Sequence, residues 1–314
     1  MRPIISVISP IYNEEENLEE LVQRTVLALE TTGETFELLL VDNGSYDHSL
    51  EIIKQLHSTD PRVCYISLSR NFNHQGGMLA GMTYAKGDAV ISMDGDLQHP
   101  PELIPEMVRL WKKGHEVVFT KKRAISEWGV RTICTKLFYK LISYLTNLHL
   151  SYGQSDFRLL DRKVVDTLLQ IPERDKFIRG LVEWIGFSQI GIEYDVPPRK
   201  RGKSKFSMMH YFSFAIDGLF SFSEIPLRHF LWLGLLVTVI CLFLGVIYAY
   251  LAVCNMLGWG NYVLPSGWAT LTVSIFFLGA VQLIGIGILG EYIGRIFFQM
   301  KQRPEFILKE KGLD

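Results

Sequence analysis

Ala89-Val90-Ile91-Ser92-Met93-Asp94-Gly95-Asp96 decides the fold of this chain. Its first part, a run of apolar and small residues, reads as a short strand buried on both faces. Such strands belong to parallel sheets, and carboxylates at their carboxyl ends point into the crevice where open α/β sheets bind ligands. Nothing nearby neutralises Asp94 and Asp96. A hard divalent cation does so, and such a cation holds a diphosphate in turn. An Asp-x-Asp pair alone also fits two solvated loop residues, so the reading depends on the rest of the chain.

Outward from this stretch, strands and helices alternate. Residues 4–9, 36–41, 63–67 and 117–120 read as further strands. Residues 15–31, 49–56, 75–84 and 103–113 read as helices, the first with Leu18, Leu21, Val22, Thr25 and Leu29 on one stripe. This rhythm predicts an α/β fold, a Rossmann-like, mostly parallel sheet with helices on both faces. Further on, 155–160 and 190–196 read as strands, 162–169 and 177–185 as helices. Residues 128–148 and 206–222 are helical patterns rich in aromatics, expected to lie in a membrane interface rather than in the soluble core.

The chain has 314 residues, 48% of them hydrophobic, and a net charge of −1. No nucleic-acid partner is expected. Cys64, Cys134, Cys241 and Cys254 form no C-x-x-C pair and read as free thiols in a reducing compartment. Met1-Arg2-Pro3-Ile4 runs straight into a strand, which is no signal peptide. From His229 to Gly290 there is no Asp, Glu, Lys or Arg. Phe230–Val253 and Ala269–Gly290 are each long enough to cross a bilayer, which takes roughly 20 helical residues. Trp259, Tyr262 and Trp268 lie between them as an aromatic belt. Arg228 precedes the pair, and Arg295, Lys301, Arg303 and Lys309 follow it, so both ends are expected in the cytoplasm.

The expected layout is a cytoplasmic α/β domain over 1–205, with an interfacial helix at about 127–148 and a basic loop at 199–205. An interfacial helix at 206–229 follows, then transmembrane helices at 230–253 and 269–290 flanking a non-cytoplasmic loop at 254–268. A cytoplasmic tail takes 291–314, in an integral protein of the inner membrane.

Polar groups gather where successive strands end. Pro10-Ile11-Tyr12-Asn13-Glu14 leaves the first, and Val41-Asp42-Asn43-Gly44-Ser45 the second. Arg70-Asn71-Phe72-Asn73-His74-Gln75-Gly76 leaves the third, and Asp94-Gly95-Asp96-Leu97-Gln98-His99-Pro100 the fourth. Backbone amides around Gly76, at a helix start, suit an anion. Asp42 suits a base edge or a ribose hydroxyl. His74 and His99 have no second histidine at ligand spacing and read as loop contacts.

Together these segments resemble the GT-A glycosyltransferases of the dolichol-phosphate mannose synthase type. With its two C-terminal apolar spans the chain is similar to the bacterial polyprenyl-phosphate (bactoprenol) glucosyltransferases, over essentially its whole length. It departs from that pattern at Asn43, where many members carry a second Asp, and at Asn73, where Gly is frequent. The resemblance implies a nucleotide pocket lined by Pro10, Tyr12, Glu14 and Asp42. It implies Mg²⁺ or Mn²⁺ on Asp94 and Asp96, with Gln98 near the metal or sugar. Ser155-Asp156-Phe157-Arg158 resembles the segment that brings an acidic residue near the acceptor, where Asp156 acts as base or orients a cation such as Arg158. The acceptor loop corresponds to Arg199, Arg201, Lys203 and Lys205. Arg131 and Lys136 are candidates for the acceptor phosphate, and Phe214 for the lipid.

The activity so implied is inverting transfer of a hexose, glucose from UDP-glucose first, onto polyprenyl phosphate for cell-envelope glycosylation. No carboxylate pair stands out for a two-step route. The partners are the nucleotide sugar, the lipid phosphate and the membrane, with a homo-oligomer left open. GDP-mannose or a modified arabinose donor would use the same scaffold. A processive synthase fits poorly, because the chain has no Gln-x-x-Arg-Trp segment and only two spans. A non-enzymatic nucleotide-sugar sensor is the remaining alternative.

Overall fold

The computed structural model describes residues 3–123, 154–173, 176–195, 225–259 and 267–313. They fall into two units, Met1–His210 with Gln302–Asp314, and Tyr211–Lys301. The first unit is built on eight strands: β1 (Ile5–Ile11), β2 (Phe36–Asp42), β3 (Val63–Leu68), β4 (Ala89–Ser92), β5 (Val117–Lys122), β6 (Gln154–Asp161), β7 (Gln189–Tyr194) and β8 (Leu308–Gly312). Their order in the sheet is β7-β5-β6-β4-β1-β2-β3-β8. The continuous apolar runs take the centre, where β3, β2, β1 and β4 are parallel. β6 runs antiparallel between β4 and β5.

Register decides where the functional side chains go. Ile8 lies opposite Ser92, Ile11 opposite Asp42, and Asp42 opposite Ser67. The carboxyl ends of the four parallel strands are therefore level, and the loops that leave them meet at one edge.

Among the described residues, six α-helices accompany the sheet: α1 (Leu18–Glu30), α2 (Ser49–Thr59), α3 (Asn73–Tyr84), α4 (Ile104–Lys112), α5 (Arg162–Gln170) and α6 (Ile178–Ile185). The expected stripe of α1 is the buried one: Leu18, Leu21, Val22, Thr25 and Leu29, joined by Ala28. It shares a core with Ile5, Val7, Leu38 and Leu40 from the sheet and Met107 from α4. Each buried Val, Leu, Ile or Met side chain among them contributes about 1.5–3 kcal/mol. α3 packs over β1 and β2 and against α5.

The segment 291–314, expected as a tail, is not one. It continues a helix to Met300 and then supplies β8, antiparallel to β3 from Tyr65↔Gly312 to Leu68↔Leu308. Leu308-Lys309-Glu310-Lys311-Gly312 alternates between exposed and half-buried positions, as a charged edge strand does. Such a strand carries little apolar signal.

Among the described residues, the second unit contains α7 (Ile225–Met256) and α8 (Trp268–Met300). Both overrun the apolar windows read from sequence, because helical hydrogen bonding continues into polar turns. In α8, Arg295 pairs with Glu291 one turn earlier at 2.9 Å. The Phe230 ring rests where any side chain at Gly285 would stand. His229–Ile247 and Ser274–Met300 are long and apolar enough to cross a membrane. Their Leu231, Trp232, Leu236, Phe243, Phe276 and Leu283 side chains are exposed. The expected interfacial helix at 127–148, the basic loop at 199–205 and residues 206–224 lie outside the described residues.

Candidate active site

One side of the edge is a rigid corner built on Asp42. Its Oδ1 accepts a hydrogen bond from the Ser45 N–H at 3.0 Å, and its Oδ2 accepts one from Ser67 Oγ at 2.7 Å. The loop after β2 turns at Gly44, which has φ +72° and sits so close to the Arg70 backbone that a Cβ would come within 2.5 Å of it. A second loop, after β1, is laced to this one. The Asn13 N–H donates to Ser45 Oγ, the Tyr46 N–H to Asn13 Oδ1, and the Glu14 N–H to Ser49 Oγ, at 3.1–3.2 Å. Asn17 Nδ2 donates to the Glu14 carboxylate at 2.7 Å. Tyr12 and Tyr46 meet edge to face, with centroids 5.9 Å apart.

The two departures from the family pattern have structural reasons. Asn43 is buried; its Oδ1 accepts from the Phe72 N–H and its Nδ2 donates to the Asn73 carbonyl, both at 2.9 Å. An aspartate could only accept. Asn73 sits at φ 63°, the left-handed region that glycine and asparagine enter most readily. Asn43 thus clamps the loop that begins α3, and Asn73 makes its turn.

Asp94 and Asp96 leave β4 on the other side, both partly exposed. The Asp94 N–H donates to His99 Nδ1 at 3.0 Å. His99 Nε2 lies 2.7 Å from Ser155 Oγ, and the ring stacks on Phe157 at 5.3 Å. Burial pushes the His99 pKa down, more than the nearby carboxylates of Asp94 and Asp96 raise it. A neutral imidazole accepting at Nδ1 and donating at Nε2 satisfies both contacts. Ser155 lies in β6, so His99 braces the β4 loop against that strand. The Gln98 N–H donates to Asp96 Oδ1 at 3.1 Å, and Leu97 takes φ 61° to allow that turn.

Asp156 is the hub of a charged cluster. Arg179, in the first turn of α6, grips it with Nε on Oδ1 at 2.6 Å and Nη2 on Oδ2 at 2.5 Å. Arg158 Nη2 stands 3.6 Å from Oδ1, and His74 Nε2 stands 3.7 Å from Oδ2 and 3.5 Å from Asp94 Oδ1. Burial alone would raise the Asp156 pKa; the Arg179 charge and hydrogen bonds outweigh it and hold the carboxyl well below its usual range. Burial likewise works against charge on His74, but Asp156 and Asp94 raise its pKa to about 9. Arg158, fully buried, is lowered to about 10 by loss of water. The His74 ring thus stands between the Asp94 and Asp156 carboxylates, within ion-pair distance of both.

The structure brings together Pro10, Tyr12, Glu14, Asp42, Gly76, Asp94, Asp96, Gln98 and Asp156 at the carboxyl edge of the sheet. Arg131, Lys136, Arg199, Arg201, Lys203, Lys205 and Phe214 lie outside the described residues. Arg179 was missed by the sequence reading, which offered Arg158 as the cation for Asp156. No spacing rule links residues 23 apart on a strand and a helix. Lys122, whose charge lowers the His99 pKa, and Tyr194, whose pKa burial raises with help from Asp94 and Asp96, were missed as well. Both end strands at the same edge.

Among the described residues, no group of three or more His, Cys, Asp or Glu could hold a metal ion by itself. Asp94 and Asp96 offer a pair of hard carboxylate ligands. That donor set fits a Mg²⁺ or Mn²⁺ ion completed by substrate oxygens and water.

A mostly parallel sheet with an Asp-x-Asp at its carboxyl edge, beside a half-buried aspartate on the neighbouring antiparallel strand, is the arrangement of a GT-A glycosyltransferase. The chain belongs to the family described as Glycosyl transferase family 2, whose sequence profile matches residues 6–169. An uncharacterized glycosyltransferase of Synechocystis sp. is 38% identical over 307 residues, 98% of this chain and 95% of that protein. The bactoprenol glucosyl transferase of Shigella phage SfV is 37% identical over 308 residues, 98% of each chain. Among solved structures, glucosyl-3-phosphoglycerate synthase from Mycobacterium tuberculosis is 20% identical with a TM-score of 0.48, covering 70% of this chain and 80% of that one.

Proposed function

We propose that this glycosyltransferase moves glucose from UDP-glucose onto the phosphate of a polyprenyl phosphate, in a single inverting displacement at the cytoplasmic face of a membrane. The observation that carries the reading is the convergence of Asp42, Asp94, Asp96 and the start of α3 on one edge, in a chain that also bears two uncovered apolar helices. The relative from Shigella phage SfV carries the name bactoprenol glucosyl transferase, which supports a lipid acceptor and a glucosyl group.

The nucleotide lies in the Asp42 corner with Pro10, Tyr12 and Glu14. Its diphosphate runs toward the first turn of α3 around Gly76, where backbone amides and the helix dipole favour an anion. Asp94 and Asp96 would hold Mg²⁺ or Mn²⁺, which when bound neutralises charge developing on the leaving diphosphate. Gln98 braces Asp96 through its backbone. The acceptor phosphate has a second pKa of about 6, so it arrives largely ionised and needs little help from a base. Asp156 then serves best by fixing Arg179 and His74, two cations aimed at a region where anionic groups meet. Arg131, Lys136 and the basic residues Arg199, Arg201, Lys203 and Lys205 are proposed to meet the lipid phosphate, and Phe214 the prenyl chain.

The placement of β8 supports the membrane topology. Chain on both sides of α7 and α8 belongs to the sheet unit, so the excursion between must cross a bilayer an even number of times. Two crossings leave that unit and both flanks on one side, and Arg295, Lys301 and Arg303 make that side cytoplasmic.

Incubating the purified chain with polyprenyl phosphate and a panel of radiolabelled sugar nucleotides, then extracting with organic solvent, tests the reading. A labelled monosaccharide lipid from UDP-glucose is expected. Label from GDP-mannose or a pentose donor instead would replace the donor assignment. Nucleotide binding without turnover on any lipid phosphate would leave a sensor.

A further inference from the structure

We propose that Glu305, beyond the second apolar helix, is a positioning residue for the transfer reaction: through Lys176 and the first turn of α3 it sets the two arms that deliver Arg179 and His74 to Asp156. This rests on the function proposed above.

Lys176 is 5% exposed, and its Nζ lies 2.9 and 3.1 Å from the two Glu305 carboxylate oxygens, 129 residues away in the chain. A buried ammonium is unfavourable unless paired, so this contact differs from a surface ion pair. Lys176 stands directly before Phe177, the N-cap of α6, and Arg179 lies in that helix's first turn. Glu305 therefore anchors the start of the arm whose guanidinium grips Asp156.

The other arm is α3. The Glu305 carbonyl oxygen lies against Gly76; a Cβ at that position would come within 3.3 Å of it, and within 2.7 Å of Phe72 Cβ. His74 is two residues away. The segment around Glu305 is itself well fixed. The Ser69 N–H donates to the Ile307 carbonyl at 2.9 Å, and the Phe306 ring meets Tyr84 at the far end of α3. The Lys311 ammonium sits 5.6 Å over Tyr84, and Lys54 pairs with Glu310 at 2.8 Å. One short stretch thus touches both ends of α3 and the base of α6. Loss of the Glu305 charge leaves the Lys176 ammonium to seek water, and the start of α6 must move with it.

The test uses the full-length chain in nanodiscs with three variants, Glu305→Gln, Glu305→Asp and Lys176→Met. Steady-state transfer to polyprenyl phosphate, thermal unfolding and amide hydrogen exchange are measured on each. Glu305→Gln is expected to lower kcat about tenfold, because small displacements far from the chemistry act on rate. The nucleotide-sugar KM should change less than threefold. Exchange should quicken in peptides covering 73–77 and 178–182 but not in β1 or β2. Glu305→Asp keeps the charge but shortens its reach and should fall between; it decides the matter if Glu305→Gln does not fold. Wild-type kcat in the folded variants, or a loss explained wholly by a smaller folded fraction, overturns the proposal. Exchange that responds as expected in a protein whose wild type transfers no sugar would sink the functional reading and leave the positional one standing.

Discussion

Replacing Arg179 by Met is the most direct probe of the charged cluster. The change keeps side-chain length but removes both hydrogen bonds to Asp156. Removing one partner of a buried ion pair costs about 3–5 kcal/mol. Here Asp156 is 14% exposed and Arg179 26%, and Arg158 remains 3.6 Å from the carboxylate. His74 also remains, at 3.7 Å. A loss of about 2–3 kcal/mol is therefore expected, below the fully buried range. In a unit of this size that lowers Tm by about 5–10 °C. The pH dependence has a definite sign. The Asp156 pKa is depressed in the folded chain, so its contribution is complete above the unfolded carboxyl value of about 3.9 and is lost as pH falls through the native value. The stability gap between wild type and Arg179→Met should be full at pH 7 and close progressively below about pH 4. A double cycle with Asp156→Asn should show coupling, because the second change removes the charge stranded by the first. Denaturant unfolding of the detergent-solubilised chain measures the loss, its pH dependence and the coupling, and thermal unfolding measures the change in Tm. Equal stability at pH 7, or additive losses in the cycle, would refute the reasoning.

Four further outcomes are expected. Asp94→Asn with Asp96→Asn should abolish detectable transfer, a fall of at least about 10²-fold if electrostatic stabilisation of the leaving group is lost; full activity of that variant in EDTA would defeat the metal assignment. His99→Phe keeps a ring on Phe157 but strands the Asp94 N–H, and should destabilise by about 1–3 kcal/mol in chemical denaturation; an unchanged midpoint would remove its bracing role. Gly44→Ala places a methyl group against the Arg70 backbone at positive φ, so UDP affinity measured by calorimetry should fall as the Asp42 corner distorts; unchanged affinity would show that the corner does not hold the nucleotide. A cysteine introduced at Gly258, between α7 and α8, should react with an impermeant maleimide only from outside the cell; labelling only after permeabilisation would contradict the two-span topology.

Much of the parallel sheet was legible because its determinants are local. An uninterrupted apolar run such as Ala89–Met93 has only one economical place in an α/β domain, and the α1 stripe repeats at the helical period. The Asp94-Gly95-Asp96 site was legible for the same reason, since its position follows from the end of its strand. β8 was not, because charges at Lys309, Glu310 and Lys311 hide an edge strand whose pairing with β3 is a matter of the folded chain alone.

The sequence by itself determined the class of fold, the edge at which the carboxylates gather and the presence of two apolar helices, all properties of residues close together along the chain. Only the tertiary structure decided that Arg179 rather than Arg158 grips Asp156, that His74 spans two carboxylates, that His99 is a neutral brace and that Glu305 reaches Lys176. These contacts join residues on different elements. Their geometry is set by strand register and helix packing, and the strength of each depends on water being excluded around it, which no linear spacing records.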